Sequence, residues 1–213
     1  SFLFTALPCP TMNKENVEKI LGTDGLLSEQ LEGFEHRPQQ IEMAQAVETA
    51  FGDAKHIIVE AGTGTGKSLA YLVPAILWAV KNNKKVVIST YTKTLQPQII
   101  HHDIPLLREK LGIPFRYALC MGNENYLSLR RLKRSSQAGL FNKADEETQW
   151  NGVFDWAVET ETGYRNDLPF EVIPQVWEEV GRQKDLCLGK NCETHSSCFY
   201  FKARKKWFGA HLL

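Results

Sequence analysis

A glycine-rich run that ends in lysine and serine is the feature that most constrains how this chain folds. It is preceded by a short apolar segment, residues 56–59, and followed by an apolar stretch of helical length, residues 68–80. Because glycine permits tight turns with positive φ, the arrangement predicts a buried strand, a turn and a buried helix in succession. In order, the run is Ala61, Gly62, Thr63, Gly64, Thr65, Gly66, Lys67 and Ser68.

A turn of this kind presents successive backbone N–H groups at the positive end of a helix, where phosphate groups bind. The strict pattern has glycine at its first position, which is Ala61 here. We therefore predict that residues 61–68 bind ATP with Mg²⁺. In this prediction Lys67 contacts the β and γ phosphates and the Ser68 hydroxyl ligates the metal, so these two are the catalytic candidates. The alternative is a glycine-rich turn without a ligand.

A second helix is predicted before the apolar segment, with Ile41 and Phe51 among its periodic apolar positions. Arg37 and Gln40 stand at its start. A glutamine amide can both donate to and accept from an adenine edge, so we add Arg37 and Gln40 to the predicted nucleotide-binding residues. A solvated helix start is the alternative interpretation.

Helices alternate with apolar segments up to residue 112, and residues 86–90 read as a second buried strand. This alternation predicts an α/β fold with a parallel sheet. Pro74 should kink the helix over residues 68–80 or make it irregular. We predict a nucleotide-binding domain over residues 1–119 with a lead-in at 1–35, a mostly helical insertion over 120–206, and a return to the sheet over 207–213.

Composition excludes several classes of protein. The formal net charge is zero, so any contact with nucleic acid must use local basic patches such as residues 130–134 and 202–206. Five cysteines, unevenly spaced, do not form the framework of a secreted disulfide domain. The first seven residues lack a basic region and are too short to span a bilayer. These features predict a cytoplasmic protein with no membrane contact.

Several motifs occur in a familiar order: Arg37-x-x-Gln40, the run at 61–68, and the Ser-Thr-rich segment 88–98. Together they resemble the Q-like motif, motif I and motif Ia of superfamily 2 helicases. With the triplet at 125–127 and the later cysteines, the chain is similar to the DinG branch, relatives of XPD. The resemblance implies a RecA-like domain and ATP-driven 5′-to-3′ translocation on single-stranded or forked DNA by a monomer in DNA repair or replication. It also implies that Thr90, Thr92 and Gln98 contact the DNA backbone.

The same resemblance implies a 4Fe-4S cluster bound by cysteines in the insertion. Cys187, Cys192 and Cys198 lie close together in sequence, whereas Ser128 stands where the family has its first cysteine. The fourth ligand could be Cys120, a Ser128 alkoxide, or His195 in a zinc site, or the cluster could be absent. The predicted metal ligands are therefore Cys120, Cys187, Cys192 and Cys198.

ATP hydrolysis in such enzymes needs an acidic pair on a later strand and arginines from a second motor domain. The acidic run at 145–147 follows no apolar strand, so it does not supply that pair. We expect the chain to be a helicase fragment that binds nucleotide without hydrolysing it. Two other hypotheses are a nucleotide-gated switch or protein-interaction module without unwinding activity, and a metal-binding module that is not a motor.

Overall fold

A computed structural model describes residues 15–31, 33–91, 95–138 and 144–213. The chain divides into two compact units: a first unit of residues up to Tyr117 with Ala210–Leu213, and a second unit of Ala118–Gly209. In the first unit the helices are α1 (Glu15–Leu21), α2 (Leu26–Gln30), α3 (Pro38–Asp53), α4 (Lys67–Asn82), α5 (Leu95–Gln98) and α6 (Ile104–Lys110), with a π-helical turn at Ile99–Asp103 between the last two. The second unit contains α7 (Leu129–Ala138), α8 (Ala144–Glu159), α9 (Pro174–Val180) and α10 (Phe199–Gly209).

Helix α4 forms the centre of the first unit. Its positions from Leu72 to Leu77 are all buried, since the helix is apolar nearly all round. It packs along α3, and the rings of Phe51 and Trp78 stack with their centroids 5.1 Å apart. The helix predicted for residues 68–80 is thus confirmed, and it continues through Pro74 without interruption.

Three backbone segments of the first unit pair in parallel. The Val86 N–H donates to the His211 carbonyl at 2.8 Å, and the Ile88 N–H donates to the Leu213 carbonyl at 2.7 Å. On the other side, Leu212 forms a parallel bridge with Tyr117. The segment at 210–213 therefore lies between the segment at 86–88 and the one at 116–117.

The strands predicted from apolar runs are only partly present. Residues 56–59 form no strand: Ile58 is 99% exposed, and no described segment pairs with this one. Only Val86 of the predicted strand 86–90 forms a bridge, and Val87 is exposed. The prediction of two buried strands was wrong for the described residues, because a strand needs neighbours on both edges and a cover on both faces to be buried in a parallel sheet.

The second unit has a hydrophobic core of its own. Residues around Tyr126 join it through antiparallel bridges, Tyr126 with Tyr164 and Leu127 with Gly181. The Trp177 indole donates to the Glu124 carbonyl at 2.8 Å, which ties α9 to the segment before α7. The core consists of Tyr126, Leu127, Leu132, Val153, Tyr164, Val172, Val176, Trp177, Val180 and Phe199. Among the described helices of either unit, none has the length and apolarity that crossing a bilayer requires.

Candidate functional site

The glycine-rich run forms a turn that leads directly into α4. Gly64 and Gly66 adopt positive φ values of 79° and 74°, and Gly66 is the residue before the first helical position. Only glycine takes this conformation without strain, and its use twice in three residues folds the loop back on itself. The loop thus presents its backbone at the N-terminal end of a 16-residue helix, where an anion is favoured.

The Lys67 ammonium closes over this loop. It donates to the Ala61 carbonyl at 3.0 Å and to the Gly62 carbonyl at 2.5 Å, while the Thr65 hydroxyl donates to the same Gly62 carbonyl at 3.0 Å. The positive charge therefore lies beside the loop backbone. A phosphate bound at the loop would replace neutral carbonyls with anionic oxygens as the partners of this ammonium, which strengthens the hydrogen bonds.

Gln40 contacts the glycine-rich loop of residues 61–68, called the phosphate loop below, directly. Its amide nitrogen donates to the Gly66 carbonyl at 2.9 Å, and the residue is 3% exposed. The Oε1 atom of Gln40 is buried without a hydrogen-bond partner. Arg37 instead pairs with Glu35 at 2.8 Å. Sequence reasoning selected Gln40 as a contact to adenine and missed its contact with the loop. No local sequence pattern indicates that contact, because 26 residues separate Gln40 from Gly66.

Ser68 belongs to a partly buried polar cluster with Tyr71 and Asp103. The Ser68 side chain is hydrogen-bonded to Tyr71, one helical turn along α4. Burial raises the pKa of Tyr71 and the nearby Asp103 carboxylate adds to this, whereas the Ser68 hydrogen bond acts in the opposite direction. Asp103 is 5% exposed, with Oδ1 2.8 Å from His102 Nδ1 and Oδ2 buried without a partner. Sequence reasoning missed this polar cluster, although Ser68 and Tyr71 have the spacing of neighbours on one helix face.

Three of the candidate metal ligands border one cavity in the second unit. Its walls include Cys187, Cys192 and Cys198 together with Arg130 and Arg182. Burial of the Cys187 thiol opposes its ionisation, but the Gly189 N–H and the two arginines outweigh burial and lower the pKa of Cys187.

The predicted set of four cysteines does not form in the structure. Cys120 is exposed and lies outside this cavity, whereas Ser128 and His195 line it. Across residues 15–31, 33–91, 95–138 and 144–213, no three His, Cys, Asp or Glu side chains are arranged to hold a metal ion. The structure thus brings Cys187, Cys192 and Cys198 to one cavity and does not bring Cys120 there.

The phosphate loop and the helix before it lie inside a match to a known family. The model of the DEAD/DEAH box helicase family matches residues 37–140. Residues 37–140 thus form a DEAD/DEAH box helicase domain. This range includes Gln40, the loop, the segment at 88–98 and the triplet at 125–127.

Relatives within this helicase family support the DinG branch specifically. The chain is 35% identical over 210 residues to the ATP-dependent DNA helicase YoaA of Haemophilus influenzae, covering 95% of this chain and 31% of the relative. It is 40% identical over 195 residues to the ATP-dependent helicase DinG of Mycobacterium tuberculosis, covering 82% and 29%. It is 34% identical over 194 residues to the 3'-5' exonuclease DinG of Bacillus subtilis, covering 86% and 20%. The chain thus spans less than a third of the length of these relatives.

The structure describes two of the three residues that were predicted to contact the DNA backbone. Thr90 is half-buried at the end of the segment that pairs with residues 211–213, and Gln98 is exposed at the end of α5. Thr92 lies outside the described residues. The helicase domain itself, predicted from the motifs, is confirmed by the family match and the relatives.

Proposed function

We propose that this chain supplies the ATP-binding part of a DNA helicase. The observation that carries the proposal is the phosphate loop: two glycines with positive φ, the start of α4, and the Lys67 ammonium all meet at residues 61–68. Helix dipole, backbone N–H groups and a cation at one place make a site for a polyphosphate. The names of the YoaA and DinG relatives support ATP as the nucleotide.

Three side chains prepare this site for Mg·ATP. Lys67 exchanges the Ala61 and Gly62 carbonyls for phosphate oxygens, which lets the loop open toward the ligand. Ser68 presents its hydroxyl as a magnesium ligand, and its hydrogen bond to Tyr71 fixes its orientation. Bound Mg²⁺ would offset the negative charge of the β and γ phosphates. The buried Oε1 of Gln40 is available to accept a hydrogen bond, in line with a contact to the adenine amino group.

The motor part of the proposal rests on the Ser-Thr-rich segment at residues 88–98. We propose that Thr90, Thr92 and Gln98 hold the phosphate backbone of single-stranded or forked DNA, and that the complete protein moves 5′ to 3′ as a cytoplasmic monomer in DNA repair or replication. The pairing of residues 86–88 with 211–213 supports a RecA-like parallel sheet. The division of the chain at Tyr117 and Ala210 supports a RecA-like domain interrupted by an insertion, close to the predicted boundaries.

The test uses the full-length protein with Lys67→Ala. Removing the ammonium should lower ATP turnover and strand separation to background while single-strand binding at low salt persists, because DNA contacts lie elsewhere. Lys84→Ala is the matched control, an exposed lysine just beyond α4, and should leave both activities unchanged.

Two results would overturn the proposal. One is strand separation by Lys67→Ala at the wild-type rate. The other is ATP turnover by the wild-type protein without displacement of any strand, at all duplex and fork designs, which would favour the nucleotide-gated switch instead.

A further inference from the structure

The cavity bordered by the three cysteines does not match the iron–sulfur cluster that the DinG resemblance implies. From the contacts around it, we infer that the second unit, Ala118–Gly209, is held together by Arg182 and its apolar core and folds without a metal cluster. This inference concerns the second unit alone and does not depend on the proposed helicase function.

Ser128 already has a structural role. Its hydroxyl accepts from the Arg131 N–H at 3.4 Å at the start of α7, and its own N–H donates to the Val180 carbonyl at 2.9 Å. A serine hydroxyl at the start of a helix satisfies a backbone N–H that would otherwise lack a partner. Hydroxyl oxygen is also a poor ligand for the soft irons of a cluster, which bind thiolates. The residue at the expected ligand position therefore serves as a helix cap.

The thiols have local partners too. The Cys187 sulfur accepts from the Gly189 N–H at 3.4 Å, and the Cys192 sulfur lies 3.3 Å from the Thr194 hydroxyl. The cavity volume is about 30 Å³, space for about two water molecules. His195, the other candidate ligand on the cavity wall, packs its ring against Phe201, with the two ring centroids 4.6 Å apart.

Arg182 makes the links that a cluster would otherwise provide between distant segments. Its backbone N–H donates to the Tyr126 carbonyl at 2.8 Å, and its guanidinium donates to the Asn123 side chain at 2.7 Å. The same guanidinium lies 4.1 Å from the ring centroid of Tyr200 on α10 and hydrogen-bonds the Cys187 thiol. One side chain thus joins the segment before α7, the cysteine segment and α10.

This arrangement also explains why the second unit needs no metal to fold. Small metal domains unfold without their ion because the free energy of metal binding supplies their folding free energy. Here ten buried apolar side chains, from Tyr126 to Phe199, form a core with no contribution from the cysteines. Arg182 adds charge-assisted hydrogen bonds and ring contacts at its edge.

The first experiment measures iron and acid-labile sulfide in the full chain, purified without oxygen and then incubated with ferrous iron, sulfide and reductant. An apo-ferredoxin treated in parallel verifies the loading. We expect only trace iron and no visible absorbance band of a bound cluster. About four irons per chain with that band would overturn the inference.

The second experiment separates the cysteines from Arg182. In the full chain, a combined Cys187→Ser, Cys192→Ser and Cys198→Ser variant should keep its Tm within error, whereas Arg182→Ala should lower Tm by about 5 °C. Arg134→Ala, an exposed arginine on α7, is the matched control and should have no effect. Should Arg182→Ala fail to fold, Arg182→Lys, which retains the charge, should fold with an intermediate Tm. A triple cysteine variant that melts as low as the Arg182 variants would overturn the inference.

Discussion

Replacing Gly66 by alanine should destabilise the first unit more than the same change at Gly64. Both glycines have positive φ, 74° and 79°, a region that costs an L-residue about 1–2 kcal/mol. At Gly66 the new Cβ would also lie 1.9 Å from the Gln40 amide nitrogen, whereas nothing lies within 4 Å of that position at Gly64. The Gln40 side chain must then withdraw from the Gly66 carbonyl and lose a hydrogen bond worth about 0.5–1.5 kcal/mol.

The expected loss of unfolding free energy is therefore roughly 1.5–3.5 kcal/mol for Gly66→Ala and roughly 1–2 kcal/mol for Gly64→Ala. Urea unfolding of the 213-residue chain, followed by circular dichroism, measures both. The cause is isolated by repeating each change in a Gln40→Ala background. There the extra cost at Gly66 should disappear, because the amide that the new Cβ would meet is gone. Equal losses at the two glycines, or an unchanged loss at Gly66 without Gln40, would refute the steric explanation.

Two further predictions concern Tyr71 and His211. Tyr71→Phe removes the hydrogen bond to Ser68 and should weaken Mg·ATP binding about fivefold, the equivalent of one hydrogen bond. A titration with a fluorescent nucleotide measures this change. Tyr91→Phe, at an exposed tyrosine, is the control, and an equal effect of both changes contradicts the prediction. The pKa of His211 lies below its ordinary 6.5 through burial and then Arg116, so the folded chain favours the neutral ring, whose Nδ1 accepts the Arg116 N–H at 3.1 Å. The stability that this preference contributes is complete above pH 6.5 and is lost as the pH falls from there to the folded pKa. Melting temperatures across that range should fall less for His211→Asn than for the wild type, and parallel falls would contradict this.

Local features of the first unit could be predicted from sequence. Glycine spacing determines where a loop can take positive φ, so the turn before α4 follows from residues 61–66 alone. The helix over 67–82 follows from an apolar stretch too long for one strand. Both the turn and the helix depend on residues that are close together in sequence.

Contacts between distant residues could not be predicted in the same way. Gln40 was selected for a role in base recognition, yet its amide reaches the Gly66 carbonyl, which no short pattern encodes. The apolar run at 56–59 was read as buried, but burial depends on neighbours that pair with it, and none of the described segments does so. The cysteine spacing fitted a cluster, whereas the positions of Ser128 and Arg182 around those thiols only emerge from the folded chain.

The exposed apolar residues of the first unit have a practical consequence. Ile58 is wholly accessible, and Ile57, Val59 and Val87 are exposed as well. Exposed apolar side chains attract similar segments from other molecules, most strongly where the backbone has no strand partner, as among the described segments at residues 56–59. Concentrated samples of this chain by itself should accumulate oligomers, and a lysine at position 58 should keep them in solution without disturbing the loop.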